Sequence, residues 1–192
     1  MTPAEPRTLR EARQAYLDAN GLGDGGYDDR WVVLKAGPVP IVFPNSKARV
    51  AALRLHDCHH PLTGYDTSWI GEAEIGAWEI STGCGRFVPA WILNLYAMGI
   101  GLVLAPARSL RAWMRGRSSD SLYHRGLDNP TLDRPLGELR AELGLVAAPP
   151  PASRVERVKW FVWSITGLAA LVVSWTGPTI VLVGLLVTWW RA

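Results

Sequence analysis

Three of the four histidines in this chain fall within five residues, in the run His56-Asp57-Cys58-His59-His60. Residues four apart on a helix lie one above the other, so His56 and His60 share a face, with Asp57 roughly 60° to 100° round from them. Val50 and Leu53 extend that face toward the N-terminus as an apolar stripe, which turns it toward a core. Inward-facing ionisable groups are costly unless they are paired or hold a cation. His59 and Cys58 point elsewhere on the wheel. A second carboxylate must come from another element, and Glu72 is placed for it. Asp66, Thr67 and Ser68 offer N-caps for a helix over about 68–82 that carries Glu72 in its first or second turn. Gly76, one turn on, lets that helix approach a neighbour closely. Two imidazoles and two carboxylates suit Zn, with Mn or Fe as alternatives, better than Ca or Mg, which prefer all-oxygen shells. The expected site is one divalent ion on His56, Asp57, His60 and Glu72, between two helices. Glu79 lies on the same side as Glu72. As a catalytic group it would orient a ligand or carry a proton; otherwise it is a surface carboxylate. A hydrogen-bonded polar cluster without metal is the plainer alternative.

The string HDCHHPLTGYDTSWIGE resembles the HD-x2-H-x11-E pattern of the coenzyme Q (ubiquinone) biosynthesis protein 4 family, with His56, Asp57, His60 and Glu72 on its four motif positions. LTGY after the second histidine, GE at the carboxylate, Arg115-Gly116-Arg117 and RPLGELRAELGL are similar to that family too, so the likeness covers roughly residues 8–145. It implies a role in ubiquinone biosynthesis, at ring carbon 1 of a polyprenylated precursor, where a carboxyl is lost and a hydroxyl gained. Two features depart from the family. Pro61 stands where an aliphatic residue is usual and should end or bend the helix at His60. The apolar tail after 159 is an addition.

Other histidine motifs fail on arithmetic. His56-x-x-His59-His60 also resembles one box of a membrane fatty-acid hydroxylase, but those enzymes need about eight histidines. An HD-domain phosphohydrolase needs a histidine upstream of the His-Asp pair, and none precedes His56. A zincin has Glu where this chain has Asp57.

The elements that must position the site read as mainly α. Thr8 with Glu11 forms a capping box for a helix over 8–19, with Asn20-Gly21 as its stop. Trp31–Lys35 and Pro40–Phe43 form a small β-hairpin around Gly37-Pro38. Asn45 or Ser46 caps the metal helix, and Gly83-Cys84-Gly85 closes the Glu72 helix. Arg134-Pro135 opens a short helix to Leu143 with proline at N1. The expected organisation is a flexible tail at 1–6, a compact helical metal-binding domain at 7–145, a proline-rich linker at 146–153 and a membrane anchor at 154–192.

The anchor follows from composition. The chain of 192 residues is 48% hydrophobic, with a mean hydropathy of +0.08, and the apolar excess sits in two blocks. Phe87–Ala107 has no charge and reads as a buried or lipid-facing helix of the domain in preference to a span. Behind it Arg108, Arg111, Arg115 and Arg117 face either solvent or anionic headgroups. Trp160–Trp190 is also uncharged and too long for a core helix. The Thr176-Gly177-Pro178-Thr179 break favours a transmembrane or re-entrant helical hairpin over one kinked span. Two cysteines give no disulfide framework, the first residues lack the apolar stretch of a signal peptide, and a net charge of +3 argues for no nucleic acid partner. The expected location is the cytoplasmic face of the inner membrane. Its expected partners are a polyprenylated quinone precursor, membrane lipid and other quinone-biosynthesis proteins. The competing expectation is a non-catalytic, prenyl-lipid-binding scaffold with a structural metal.

Overall fold

Hydroxyl caps begin the helices around the cluster. Thr8 accepts from the Glu11 N–H and forms the full capping box, Ser46 accepts from the Arg49 N–H, and Ser68 from the Gly71 N–H. A cap of this kind contributes about 1 kcal/mol by satisfying an N–H that the first turn leaves without a partner. The computed structural model describes residues 8–34 and 41–191. In order these form α1 (Leu9–Ala19), β1 (Trp31–Leu34), β2 (Ile41–Pro44), α2 (Lys47–Thr63), α3 (Trp69–Thr82), α4 (Val88–Leu104), α5 (Pro106–Arg117), α6 (Asn129–Leu132), α7 (Leu136–Glu142) and α8 (Arg154–Arg191). The chain is mainly helical. β1 and β2 pair antiparallel, Trp31 opposite Pro44 and Leu34 opposite Ile41. The expected tail at 1–6 and turn at Gly37-Pro38 lie outside the described residues.

α3 is the centre of the fold, buried almost all round from Gly71 to Ser81. Small residues let its neighbours approach. A Cβ on Gly76 would lie 2.9 Å from the Asn94 carbonyl of α4, and one on Gly116 of α5 would lie 2.6 Å from the Trp78 carbonyl. The core between these helices holds Ile75, Trp78, Met98, Leu122, Leu139 and Leu143. α7 starts at Leu136, so Pro135 is its N-cap and not its first helical residue. Its Leu136 and Leu139, with Leu143 at the C-cap, turn inward as the spacing requires.

α2 does not end at His60. It runs through Pro61 to Thr63 and closes on left-handed Gly64. Proline in the last turn removes the N–H that would bond the Asp57 carbonyl, while the last-turn carbonyls, which a helix end leaves without partners, find a donor elsewhere. Arg140 of α7 donates to the Pro61 carbonyl at 2.6 Å and to the Leu62 carbonyl at 3.1 Å.

The C-terminal segment corrects one expectation. α8 is one continuous helix of 38 residues, not a helical hairpin. A proline inside a helix forfeits about one hydrogen bond, whereas splitting an apolar helix leaves up to about eight backbone groups to satisfy. After the 146–153 connection, α8 packs against α4 and α5. Trp160 Nε1 donates to Ser109 Oγ at 3.1 Å, Trp113 Nε1 to Glu156 at 2.9 Å, and Gly167 lies against Leu95 of α4. Residues Arg154–Ser174 are long and apolar enough to cross a membrane. The basic side of α5 is largely engaged. Arg115 donates to the Thr63 and Leu145 carbonyls, Arg108 pairs with Glu74, and Arg117 lies 3.5 Å from Glu156.

Glycine packing makes a direct prediction. Gly116→Ala forces Trp78 backbone to move and should cost about 1–3 kcal/mol in urea unfolding. Gly137→Ala in α7 meets nothing within 4 Å and should stabilise by up to about 1 kcal/mol.

Candidate metal centre

His56 and His60 present their Nε2 atoms to each other at 3.2 Å from adjacent turns of α2. Glu72 comes from the first turn of α3, its Oε2 3.5 Å from His56 Nε2 and its Oε1 3.4 Å from His60 Nε2. One ligand atom from each residue lies within 4.8 Å of the others, so the three form a group able to hold a metal ion. Their outer nitrogens are already taken. His60 Nδ1 is 2.9 Å from the Tyr65 carbonyl and His56 Nδ1 is 3.0 Å from Glu79 Oε1. A carbonyl or carboxylate oxygen only accepts, so both Nδ1 atoms carry a proton and both Nε2 atoms face inward, where each offers a lone pair to a metal ion or holds a second proton in its absence. Two imidazole nitrogens and a carboxylate converging on one point suit a shared cation, either a proton or a metal ion. The arrangement is that of metal-binding histidines oriented from behind by a carboxylate or carbonyl. Two histidines and one glutamate suit Zn or Fe, with positions left open for a ligand. Tyr16 of α1 stacks on the His60 ring with centroids 4.7 Å apart.

Asp57 is not brought into this group. Its Oδ2 accepts the Tyr27 hydroxyl at 2.6 Å. One residue round the helix from His56 is about 100° away, enough to turn the carboxylate from α3 toward the loop after α1. Of the four expected ligands the structure groups three, His56, His60 and Glu72. His59 stays outside, as its position on the wheel requires. Its Nε2 accepts the Leu122 N–H at 3.0 Å and its Nδ1 donates to Glu79 at 2.6 Å. Burial pushes its pKa down.

Glu79 is fully buried, not a surface carboxylate. Its Oε1 accepts from His56 and His59. Its Oε2 accepts from the Tyr123 hydroxyl at 2.8 Å and from Asn94 Nδ2. Burial alone would raise its pKa, but the charges and hydrogen bonds of His56 and His59 outweigh that and hold it well below the usual carboxylate range. With every donor directed at it, Glu79 positions His56. Tyr27, Asn94 and Tyr123 carry no motif that singles them out, and Tyr65 stands in the LTGY run without a role read from it. Asn94 alone had a signal, as the only amide side chain in the uncharged block 87–107.

A cavity of about 150 Å³ borders the group. His56 and Glu72 form one side, and Pro89, Ala90, Leu93 and Ala97 of α4 another. Arg49 and Tyr123 also line it. No protein family, no curated protein and no solved structure was found to match this chain.

The protonation of the metal-free site has a definite sign. Burial opposes charge on Glu72, but hydrogen bonds from His56 and His60 lower its pKa from 4.5 to about 2. Its contribution to stability is therefore complete above about pH 4.5 and is lost as pH falls toward 2. Burial also opposes charge on His56, yet Glu79 and Glu72 raise it well above 6.5. That contribution is complete below pH 6.5 and is lost as pH rises through the raised value. Chelated protein should therefore melt highest between about pH 4.5 and 6.5 in calorimetry, and a divalent ion should remove the alkaline fall by replacing the proton. Elemental analysis should find that His60→Ala loses most of the bound ion while Asp57→Asn and His59→Ala retain it. His59→Ala should lower stability by about 1–3 kcal/mol, because it leaves Glu79 a donor short.

Proposed function

We propose that this chain is a membrane-attached, metal-dependent enzyme of quinone biosynthesis that acts on the ring of a polyprenylated aromatic precursor at the cytoplasmic face. The observation that carries the reading is that His56 and Glu72 of the His56, His60 and Glu72 group line a cavity walled in part by the apolar helix α4. The substrate assignment draws on the motif resemblance. In the proposed reaction ring carbon 1 loses its carboxyl as carbon dioxide and gains a hydroxyl. One oxygen atom of dioxygen enters the ring, and two electrons and two protons from an external reductant take the other to water.

His56, His60 and Glu72 would hold a divalent ion, which would supply Lewis acidity toward the ring carboxylate or phenolate and, as redox-capable Fe or Mn, activation of dioxygen. The protein's own groups do the rest. Glu79 and the Tyr65 carbonyl keep both Nε2 lone pairs inward. Arg49, held by Asn45 at 2.7 Å, gives the cavity a cation that a ring carboxylate can face. Ala90, Leu93 and Ala97 offer the prenyl chain an apolar wall and keep water from it. A second reading, the prenyl-lipid-binding scaffold with a structural metal, draws on the way Glu79 ties α2, α3 and α4 together.

Glu72→Gln preserves volume and removes the ligand charge. A deletion strain carrying Glu72→Gln should fail to make quinone and should accumulate a precursor that keeps its ring carboxyl, read by mass spectrometry of lipid extracts. Full complementation by Glu72→Gln would leave the scaffold reading in its place, and an unprenylated precursor would move the defect to another step.

A further inference from the structure

We propose that the outer face of α4 and the first half of α8 form one lipid-facing surface, so that the cavity beside His56 and Glu72 opens toward the acyl chains and receives its ligand from within the bilayer. The inference rests on the lipid-processing reading above and extends it to the route of entry.

The two helices meet backbone to backbone. A Cβ on Gly167 would lie 2.0 Å from the Leu95 carbonyl, and one on Gly99 would lie 2.4 Å from the Leu168 nitrogen. Small residues at a crossing, joined by a polar bond, are how helices associate in an apolar medium. Tyr96 and Ser174 supply that bond at 2.6 Å. α4 therefore goes where α8 goes.

The occupant of the surface is lipid. Among the described residues most large apolar side chains left exposed are on these two helices. Val88, Ile92 and Val103 of α4 are 63%, 45% and 63% exposed, and Phe161, Val162 and Val173 of α8 are 49%, 53% and 66% exposed. From Phe87 to Ala107 and from Trp160 to Trp190 the chain has no charged residue, so the surface offers a polar partner no charge to pair with. Arg154, Arg157 and Lys159 precede the apolar run of α8, and Trp163 stacks on Trp91 at 6.0 Å one turn beyond. Cations followed by tryptophans are the order met on passing from headgroups into acyl chains. Leu93 joins the surface to the site, because it is 49% exposed and also lines the cavity.

Cys58 and Cys84 are buried, so one introduced cysteine can be labelled on the full chain. Ile92→Cys, Leu93→Cys, Val162→Cys and, as reference on α1, Gln14→Cys would carry an environment-sensitive fluorophore in vesicles of phosphatidylethanolamine and phosphatidylglycerol. Lipids bearing a quencher on the acyl chain should remove most of the signal at 92, 93 and 162 and little at 14. Quenching at 162 without 92 would overturn the α4 surface and leave the α8 attachment standing. A shielded signal at 92 that lipid does not quench would mean a second copy covers α4, which also overturns it. If only aqueous iodide reaches 93, the cavity opens to water and the entry route fails. Absence of quenching at all three would overturn the membrane attachment itself, while the metal and precursor measurements above would still stand or fall separately.

Discussion

A carboxylate buried without partners is among the most expensive things a protein interior can contain, and the arrangement around Glu79 is organised by that cost. Its two oxygens draw donors from His56 and His59 of α2, Asn94 of α4 and Tyr123 in the segment after α5. Each donor is thereby fixed in position, and the elements that carry them are fixed with it. The same bond that satisfies Glu79 turns the His56 ring and leaves its Nε2 facing His60 and Glu72. Candidate site and core are one network, so the geometry of His56, His60 and Glu72 is tied to that of the fold.

Close helix contacts make that network possible. Glu79 on α3 can be reached from both α2 and α4 because α3 is thin where it meets its neighbours. Gly76 admits the α4 backbone and Gly116 admits α5 against Trp78. Glycine costs helix stability in an interior position, and here the loss is offset by burial of Trp78, Ile75 and Met98 around the contact.

The cavity follows from α4 having two jobs. Its inner face supplies Asn94 to Glu79, and its neighbouring positions Ala90, Leu93 and Ala97 are apolar and mostly small enough to leave space beside His56. Its outer face continues into that of α8 across the Gly99 and Gly167 crossing. A single uncharged helix thus stands between a polar, cation-seeking site and an exposed apolar surface. That position gives physical meaning to an isolated asparagine in an otherwise hydrophobic run.

What the sequence determined by itself is local. Hydroxyl caps placed α1, α2 and α3, and the 3.6-residue period put His56 and His60 on one face with Glu72 early in the next helix, because both effects act within one or two turns. The uncharged runs marked α4 and α8 for the same reason, since hydrophobicity is a property of the segment alone. Only the tertiary structure decided where side chains with several possible partners would turn. Asp57 went to Tyr27, Glu79 was enclosed by four donors, and Arg140, 79 residues away from Pro61, capped the carbonyls that the end of α2 leaves without partners. The Gly177-Pro178 pair is a strong local stop, and the helix passes through it. In each case the competing local preference is worth a few kcal/mol at most, whereas leaving a buried polar group or a row of backbone groups unsatisfied costs as much or more.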